Sequence, residues 1–252
     1  MLWYKAWLET RWRFLIGLAL LLCSAAATVL TYPAVVKLIP PTTAANSGGV
    51  IEERIREAIE LSRTYRGYMW SHWFGQNLEQ WATLFAILLG TAGVLSQPAG
   101  ALFTLSLPVS RKRLVGVRAA TGLTELFVIV FVPSLLVSLL SPSIEQSFSP
   151  GATLVYSACF FAGVSFFFSL AFLLSTVFDD VWRPLLIAIA IAFVLSMFGR
   201  ILTNAPADVY RVMSAETYFR SGHLPWIGLI VTAALSAAML YAATANVTRR
   251  DF

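Results

Sequence analysis

The residues that could do chemistry are few and scattered along the chain. Glu52 and Glu53 form a carboxylate pair in "IEERIRE", and paired glutamates could act in an intramembrane hydrolase. That chemistry needs histidines close by, but His72 and His223 occur singly beside aromatic or turn residues. Ser165, in "GVSFF", has no histidine in its apolar run to activate it. We therefore expect that the chain itself is not an enzyme.

Metal and nucleotide sites are not expected either. Neither histidine has a second histidine or cysteine at ligand spacing, which argues against a metal site. Cys23 and Cys159 lie in apolar runs and are expected to be small buried hydrophobes. The sequence contains no Gly-Lys dipeptide, so it has no Walker A phosphate loop. We expect this chain to bind no cofactor.

The composition is that of a membrane protein. Of 252 residues, 58% are hydrophobic and only 12% are charged, whereas soluble domains carry about 25% charged residues. Several apolar runs reach the length of about 20 residues that crosses a hydrocarbon core. These runs do not alternate as β-barrel strands do, so we predict an all-α single transmembrane domain over residues 1–252. The six predicted spans are 14–36, 81–105, 116–140, 151–177, 184–202 and 224–245.

The charges are divided unequally between the two sides that these spans would define. One side holds residues 1–13, 106–115 with Arg118, 178–183 and 246–252, with ten cations against four acids. The other side holds eight of each. The positive-inside rule makes the first side, with both termini, cytoplasmic. The net charge of +5 is therefore attributed to topology and not to nucleic-acid binding, and we expect a multi-pass protein of the cell membrane, in a bacterium the cytoplasmic membrane.

Two helices outside the spans are predicted as well. In the external loop 37–80, Ile51, Ile55 and Ile59 recur four residues apart, which predicts a short amphipathic helix over 51–63. The aromatic stretch "YRGYMWSHWF" would then lead the chain back to the headgroup level. At the N-terminus, "WYKAWLETRWRF" predicts a helix lying in the cytoplasmic interface before the first span.

Glu125 is the one ionisable residue well inside a predicted span. It follows Arg118 by seven residues, so the two share a helix face about 10 Å apart. Buried carboxylates in membranes often mark function. The alternative, which we favour because of the nearby cations, is a structural partner for Arg118 or for a cation on a neighbouring helix.

Small residues recur four positions apart on several spans. Such stripes let helix backbones approach closely in lipid, where no hydrophobic force drives association. Packing within the chain is the default interpretation, and a dimer seam along one stripe is the alternative. The stripes are Ala82, Ala86 and Gly90; Ala234, Ala238 and Ala242; and Gly228, Thr232 and Ser236.

The segment "LSLPVSRKRLVGVR" at 105–118 contains four cations, three of them in a cytoplasmic loop at 106–115 and the fourth at Arg118. Topology alone explains the cations. It does not explain the order of Pro108 and Ser110 before them, which predicts a rigid turn with Ser110 capping a helix that starts at Arg111. Such a turn at the membrane edge is suited to docking a soluble partner.

These features resemble the permease subunits of ABC-2-type ABC transporters. In that family a leucine-rich stretch followed by Pro-Val-Ser-Arg joins the second and third spans, and Arg-Arg-Asp with an apolar residue follows the last span. Here they correspond to 105–111 and to "RRDF" at 249–252. Many relatives also carry a glutamate before the leucine-rich stretch and Gly-Lys after it, where this chain has Gln97 and "GVR" at 116–118.

The resemblance implies a type V exporter-like permease that moves an unidentified substrate, usually outward. It implies a partner permease, either a second copy or a relative, and two ABC ATPase subunits that bind the ATP and Mg²⁺. The coupling helix implied for the ATPase groove comprises Leu107, Pro108, Val109, Ser110, Arg111, Lys112 and Arg113. The remaining hypothesis is a membrane anchor or assembly protein that acts through its external helix without transport.

Overall fold

The computed structural model describes residues 2–38, 59–92, 110–178, 180–201 and 208–249. Nearly all of these residues are helical and none of them lies in a strand, which confirms the all-α prediction. Five helices are long and apolar enough to cross a membrane, as a multi-pass membrane protein requires. They are Leu2–Leu38, Arg111–Ile144, Pro150–Val177, Trp182–Gly199 and Trp226–Arg249.

The first span belongs to a longer helix than the sequence indicated. Helix α1 runs from Leu2 to Leu38 without a break, a length of about 55 Å. The predicted separate interfacial helix is therefore wrong, because residues 2–13 continue the helix of the span. Their exposed aromatic side chains, Trp3 and Trp12 among them, stand on the outside of this extension.

The second predicted span also has different bounds. Residues 59–63 are helical, and a continuous helix then follows as α2 (Tyr65–Tyr68), a π-helix (Met69–Asn77) and α3 (Leu78–Gly90). The helix predicted over 81–105 thus begins 16 residues earlier and ends at Gly90. Residues 93–109 and 51–58, with most of the predicted external helix, lie outside the described part of the chain.

Three contacts show that α1 and the α2–α3 segment run antiparallel. Tyr32 packs against Tyr68 with ring centroids 5.1 Å apart, and the Asn77 amide donates to the Thr28 hydroxyl at 3.0 Å. At the far end of α3, the Arg13 guanidinium donates to the backbone oxygen of Leu88 at 2.6 Å. The second helical segment therefore extends along α1 from Tyr32 to Arg13.

Helix α4 (Arg111–Leu140) and the 3₁₀ turn Ser141–Ile144 lead into α5 (Pro150–Val177). Pro150 begins α5 at a position where its missing N–H costs nothing. Helix α5 is the central element, because it contacts α3, α4, and the helices that follow it in the chain. In the most apolar 18-residue stretch of α5, 67% of the residues are buried, the largest share among the five long helices.

The rest of the chain adds two long helices and two short ones. These are α6 (Trp182–Ile201), α7 (Val209–Ser214), α8 (Glu216–Ser221) and α9 (Trp226–Arg249). Helix α9 is parallel to α5, since the Asn246 amide near its end donates to the backbone oxygen of Thr176 at 2.9 Å. We call the end of the bundle with Arg118 the Arg118 end, and the opposite end the Tyr65 end.

The three stripes of small residues divide between two roles. Ala82, Ala86 and Gly90 are buried, and so are Gly228, Thr232 and Ser236, in helices that pack on α5. Ala234, Ala238 and Ala242 face outward instead. Packing within the chain therefore accounts for two stripes, and a dimer seam stays a prediction only for the third.

Candidate functional site

The described part of the cationic segment starts a helix. Helix α4 begins at Arg111, with Ser110 at the predicted N-cap position. The Ser110 side chain, however, accepts no capping hydrogen bond from the helix. Lys112 and Arg113 are exposed on the first turn and Arg111 is partly exposed. Leu107, Pro108 and Val109 lie outside the described residues.

The structure pairs the two intramembrane candidates with α1 and not with each other. Arg118 forms an ion pair with Glu9, a residue of the predicted interfacial helix. Glu125 is 4% exposed and its Oε1 accepts a hydrogen bond from the Thr10 hydroxyl at 2.6 Å. Instead of pairing with Arg118 or with a cation on a neighbouring helix, Glu125 accepts from the neutral Thr10, and both candidates join α4 to α1.

A groove runs along the bundle between α3 and α6. Its volume is about 630 Å³, within the range of about 300–1,000 Å³ found for small-molecule sites. The buried Thr83 hydroxyl in its wall has no hydrogen-bond partner among the described residues. The α3–α6 groove is lined by Glu79, Gln80, Thr83, Leu84 and Ile87, by Ile189, Ala192, Phe193, Ser196 and Met197, and by Tyr210.

A polar pocket of about 320 Å³ continues the groove at the Tyr65 end. The two cavities share Glu79, Ser196 and Tyr210, so they form one path that changes from apolar to polar. The polar pocket is bordered by Trp70, Ser71, Gly75 and Gln76, by Gly199 and Asp208, and by Arg211, Ser214 and Glu216.

The π-helix supplies one whole side of this polar pocket. Trp70, Ser71, Gly75 and Gln76 all belong to it. Such wide helical turns are rare and are frequently found at functional sites. Trp70 fixes the opposite side, because its indole N–H donates to the backbone oxygen of Ser214 at 2.8 Å. The π-helix therefore holds α7 at a defined distance from α3.

Charges around the polar pocket are largely paired. Glu216 accepts from both Arg211 and Arg220, at 3.2 and 2.8 Å. Asp208 caps α7 by accepting from the backbone N–H of Tyr210. Burial, together with the nearby carboxylates of Glu79 and Asp208, raises the pKa of Tyr210. The phenol therefore stays a neutral donor, and it binds the backbone oxygen of Ala192 at 2.9 Å.

An aromatic cluster closes the bundle at the Tyr65 end. Tyr65 shares a 2.6 Å hydrogen bond with Ser141 and packs edge-on against Tyr32, 4.9 Å away. Trp70 stacks on Phe219 at 4.4 Å. Tyr65, in the aromatic stretch predicted to lie at the headgroup level, is buried in contacts between helices; its depth in the membrane stays a prediction.

The hydrolase residues are not brought together by the described elements. The Ser165 hydroxyl donates to the backbone oxygen of Phe161 at 2.7 Å, one turn back in its own helix. The His72 ring lies against Tyr68 at 4.5 Å, and Glu52 and Glu53 are outside the described ranges. Within those ranges, no three metal-ligating side chains cluster.

No protein-family model, curated protein or solved structure matches this chain.

Proposed function

We propose that this chain is the permease subunit of an ABC-2-type transporter. It would move its substrate outward across the cell membrane, and separate ATPase subunits would hydrolyse the ATP. A second permease, either another copy or a relative, would complete the complex. The observation that carries the proposal is the Pro-Val-Ser-Arg sequence at 108–111, which leads directly into the cationic start of α4.

The placement of the cations supports a docking role. Arg111, Lys112 and Arg113 occupy the first turn of α4. The positive end of the helix dipole lies there, so cations destabilise a helix start by about 0.3–1 kcal/mol each. Helix stability therefore does not explain them. The positive-inside rule accounts for their sign, and their position directly after Pro-Val-Ser supports a docking role.

The α3–α6 groove supports transport over simple anchoring. A membrane anchor needs no cavity at membrane depth. This groove has apolar walls along Leu84 and Phe193 and a polar end at Glu79 and Asp208. Such a lining suits a molecule that must pass between lipid and water.

The docking experiment uses the chain purified with the ATPase encoded beside it. Reversal of Arg111, Lys112 and Arg113 to glutamate should abolish complex formation and stimulated ATP turnover. Arg249→Glu is the matched control, because this exposed arginine ends α9 at the same end of the bundle. The control variant should keep both properties.

The proposal fails if the triple variant inserts normally and still binds and stimulates the ATPase. It also fails if the unmodified chain binds no ATPase. A loss of binding in both the triple variant and Arg249→Glu would indicate a general effect of charge and would contradict a specific docking helix.

A further inference from the structure

Helix α1 holds the two helices that flank residues 93–109. Helix α3 ends at Gly90 and α4 begins at Arg111. Their facing ends both lie at the Arg118 end of the bundle, where α1 contacts each of them through polar side chains. These contacts come from Glu9, Thr10 and Arg13, which occupy little more than one turn of α1.

Arg13 binds the end of α3. Its guanidinium donates to the backbone oxygen of Leu88 at 2.6 Å. The Thr91 hydroxyl donates to the same oxygen at 3.1 Å. The last carbonyls of a helix have no partner within the helix and carry its negative dipole end. A cation is therefore well placed there, and it fixes α3 to α1 at this level.

Glu9 binds α4 near its start, and Thr10 binds the middle of the same helix. Glu9 pairs with Arg118, two turns into the helix, and both side chains are mostly buried. Thr10 donates to Glu125 at 2.6 Å, a length typical of a hydrogen bond to a carboxylate. Removal of one partner from a buried pair strongly destabilises a protein, because the other partner is left buried and unpaired. Removal of one partner from an exposed ion pair has little effect.

Helix α1 can carry a displacement from these contacts to the other end of the molecule. It is unbroken from Leu2 to Leu38. Tyr32, near its far end, packs against Tyr65 and Tyr68. As far as Tyr32 the helix transmits a tilt or a shift as one rod, because its turns are fixed by backbone hydrogen bonds; the first missing N–H donor is that of Pro33, beyond this point.

We propose that Glu9, Thr10 and Arg13 form a clamp that makes α1 move together with the end of α3 and the first half of α4. The residues of the clamp are positioning residues. The inference rests on the proposed function in one respect, the source of the movement. That source would be an ATPase docked at residues 110–113 that changes conformation when it binds nucleotide.

The first test needs the chain alone. Backbone hydrogen exchange is measured in detergent for Glu9→Gln, Arg13→Gln and the control Asp180→Asn, which breaks the exposed Asp180–Arg183 pair. We expect exchange on the order of tenfold faster at the start of α4 in Glu9→Gln, and at the end of α3 in Arg13→Gln. The control and Arg13→Lys should match the wild type, and changes below about twofold in the first two variants would overturn the clamp.

The second test uses the complex with the ATPase and adds Mg-ATP. In the wild type, nucleotide should change exchange both at 110–118 and in the first turns of α1. In Glu9→Gln the change at 110–118 should remain while the change in α1 is lost. The charge-swapped pair, Glu9→Arg with Arg118→Glu, should restore it.

The two proposals fail in different ways. If the wild-type chain binds no ATPase, the proposed function fails, and the exchange of the chain alone decides whether the clamp exists. If the ATPase binds, and nucleotide changes hydrogen exchange in the first turns of α1 as strongly in Glu9→Gln as in the wild type, the clamp is refuted and the proposed function stands. Variants that lose thermal stability are judged by the swapped pair, which must regain both stability and response.

Discussion

Replacement of Gly90 by alanine should destabilise the protein, because the helices leave no room for a methyl group there. A Cβ at this position would lie 2.6 Å from the backbone oxygen of Phe168 and 2.9 Å from the Cβ of Ala171. The first of these atoms belongs to the backbone of the central helix α5 and cannot move away by a rotamer change. Helix α3 or α5 must therefore shift.

The magnitude follows from the cost of overpacking. A forced shift in a well-packed core costs about 1–3 kcal/mol. The intrinsic preference of helices for alanine over glycine offsets up to about 1 kcal/mol of this. For a chain of this size, each kcal/mol lowers the midpoint of thermal unfolding by about 2–4 °C. Because the clash is with backbone, the cost lies in the upper part of the overpacking range, about 2–3 kcal/mol. An offset of about 1 kcal/mol leaves about 1–2 kcal/mol, so we expect the midpoint of Gly90→Ala to fall by about 2–8 °C.

Gly116→Ala is the matched control, because a Cβ there would meet no atom within 4 Å. This glycine is exposed near the start of α4. Alanine should raise stability there by about 0.5–1 kcal/mol, so the two variants should change in opposite directions. Thermal unfolding in detergent, followed by tryptophan fluorescence, measures both. Equal or greater stability of Gly90→Ala would refute the close approach of α3 and α5.

Three further predictions concern polar contacts. Thr10→Val should lower the free energy of unfolding by about 1.5–3 kcal/mol, because it removes a hydrogen bond to a carboxylate. Glu125→Gln keeps an acceptor for the Thr10 hydroxyl and should cost less. Chemical unfolding measures both variants, and a larger loss in Glu125→Gln would contradict the Thr10–Glu125 hydrogen bond. Trp70→Phe should cost about 0.5–1.5 kcal/mol for the lost bond to Ser214, measured in the same way, and no loss would argue against that bond. Because the pKa of Tyr210 is raised in the folded state, the neutral phenol contributes fully to stability below about pH 10, and this contribution is lost as the pH rises above about 10. The midpoint of thermal unfolding should therefore fall less between pH 8 and 11 in Tyr210→Phe than in the wild type. An equal fall in both proteins would refute the raised pKa of Tyr210.

Hydropathy was sufficient to predict five spans, because each is a long apolar run that forms its own helix. It misplaced the start of the second helical segment, where Asn77 and Glu79 made the run look polar. In the structure Asn77 donates to Thr28, and the indole of Trp73 lies 3.4 Å from the Ser134 hydroxyl. Polar groups that find partners on other helices can lie inside a bundle. Those partners are distant in sequence, so no local pattern reveals them.

The same limit applies to the candidate site. Glu125 and Arg118 were identified from the sequence because a charged residue in an apolar run is conspicuous. Their partners, Thr10 and Glu9, looked like ordinary residues of a polar N-terminus. The α3–α6 groove was missed for a related reason, since it depends on the spacing between two helices and not on the composition of either.

The packing of α6 explains how the groove could change width without disrupting the core. In the most apolar 18-residue stretch of α6 only 17% of the residues are buried, compared with 67% in that of α5. Leu186 and Phe193 expose more than half of their surfaces. Elements with few buried contacts open at low free energy, whereas densely packed ones move together. Helices α1, α3, α4 and α5 pack extensively on one another, whereas α6 packs mainly on α3 and α5. A displacement of α6 would therefore widen the groove along α3. Under the proposed function, the groove changes width when α6 moves relative to the unit of α1, α3, α4 and α5, within which Arg13 joins α3 to α1.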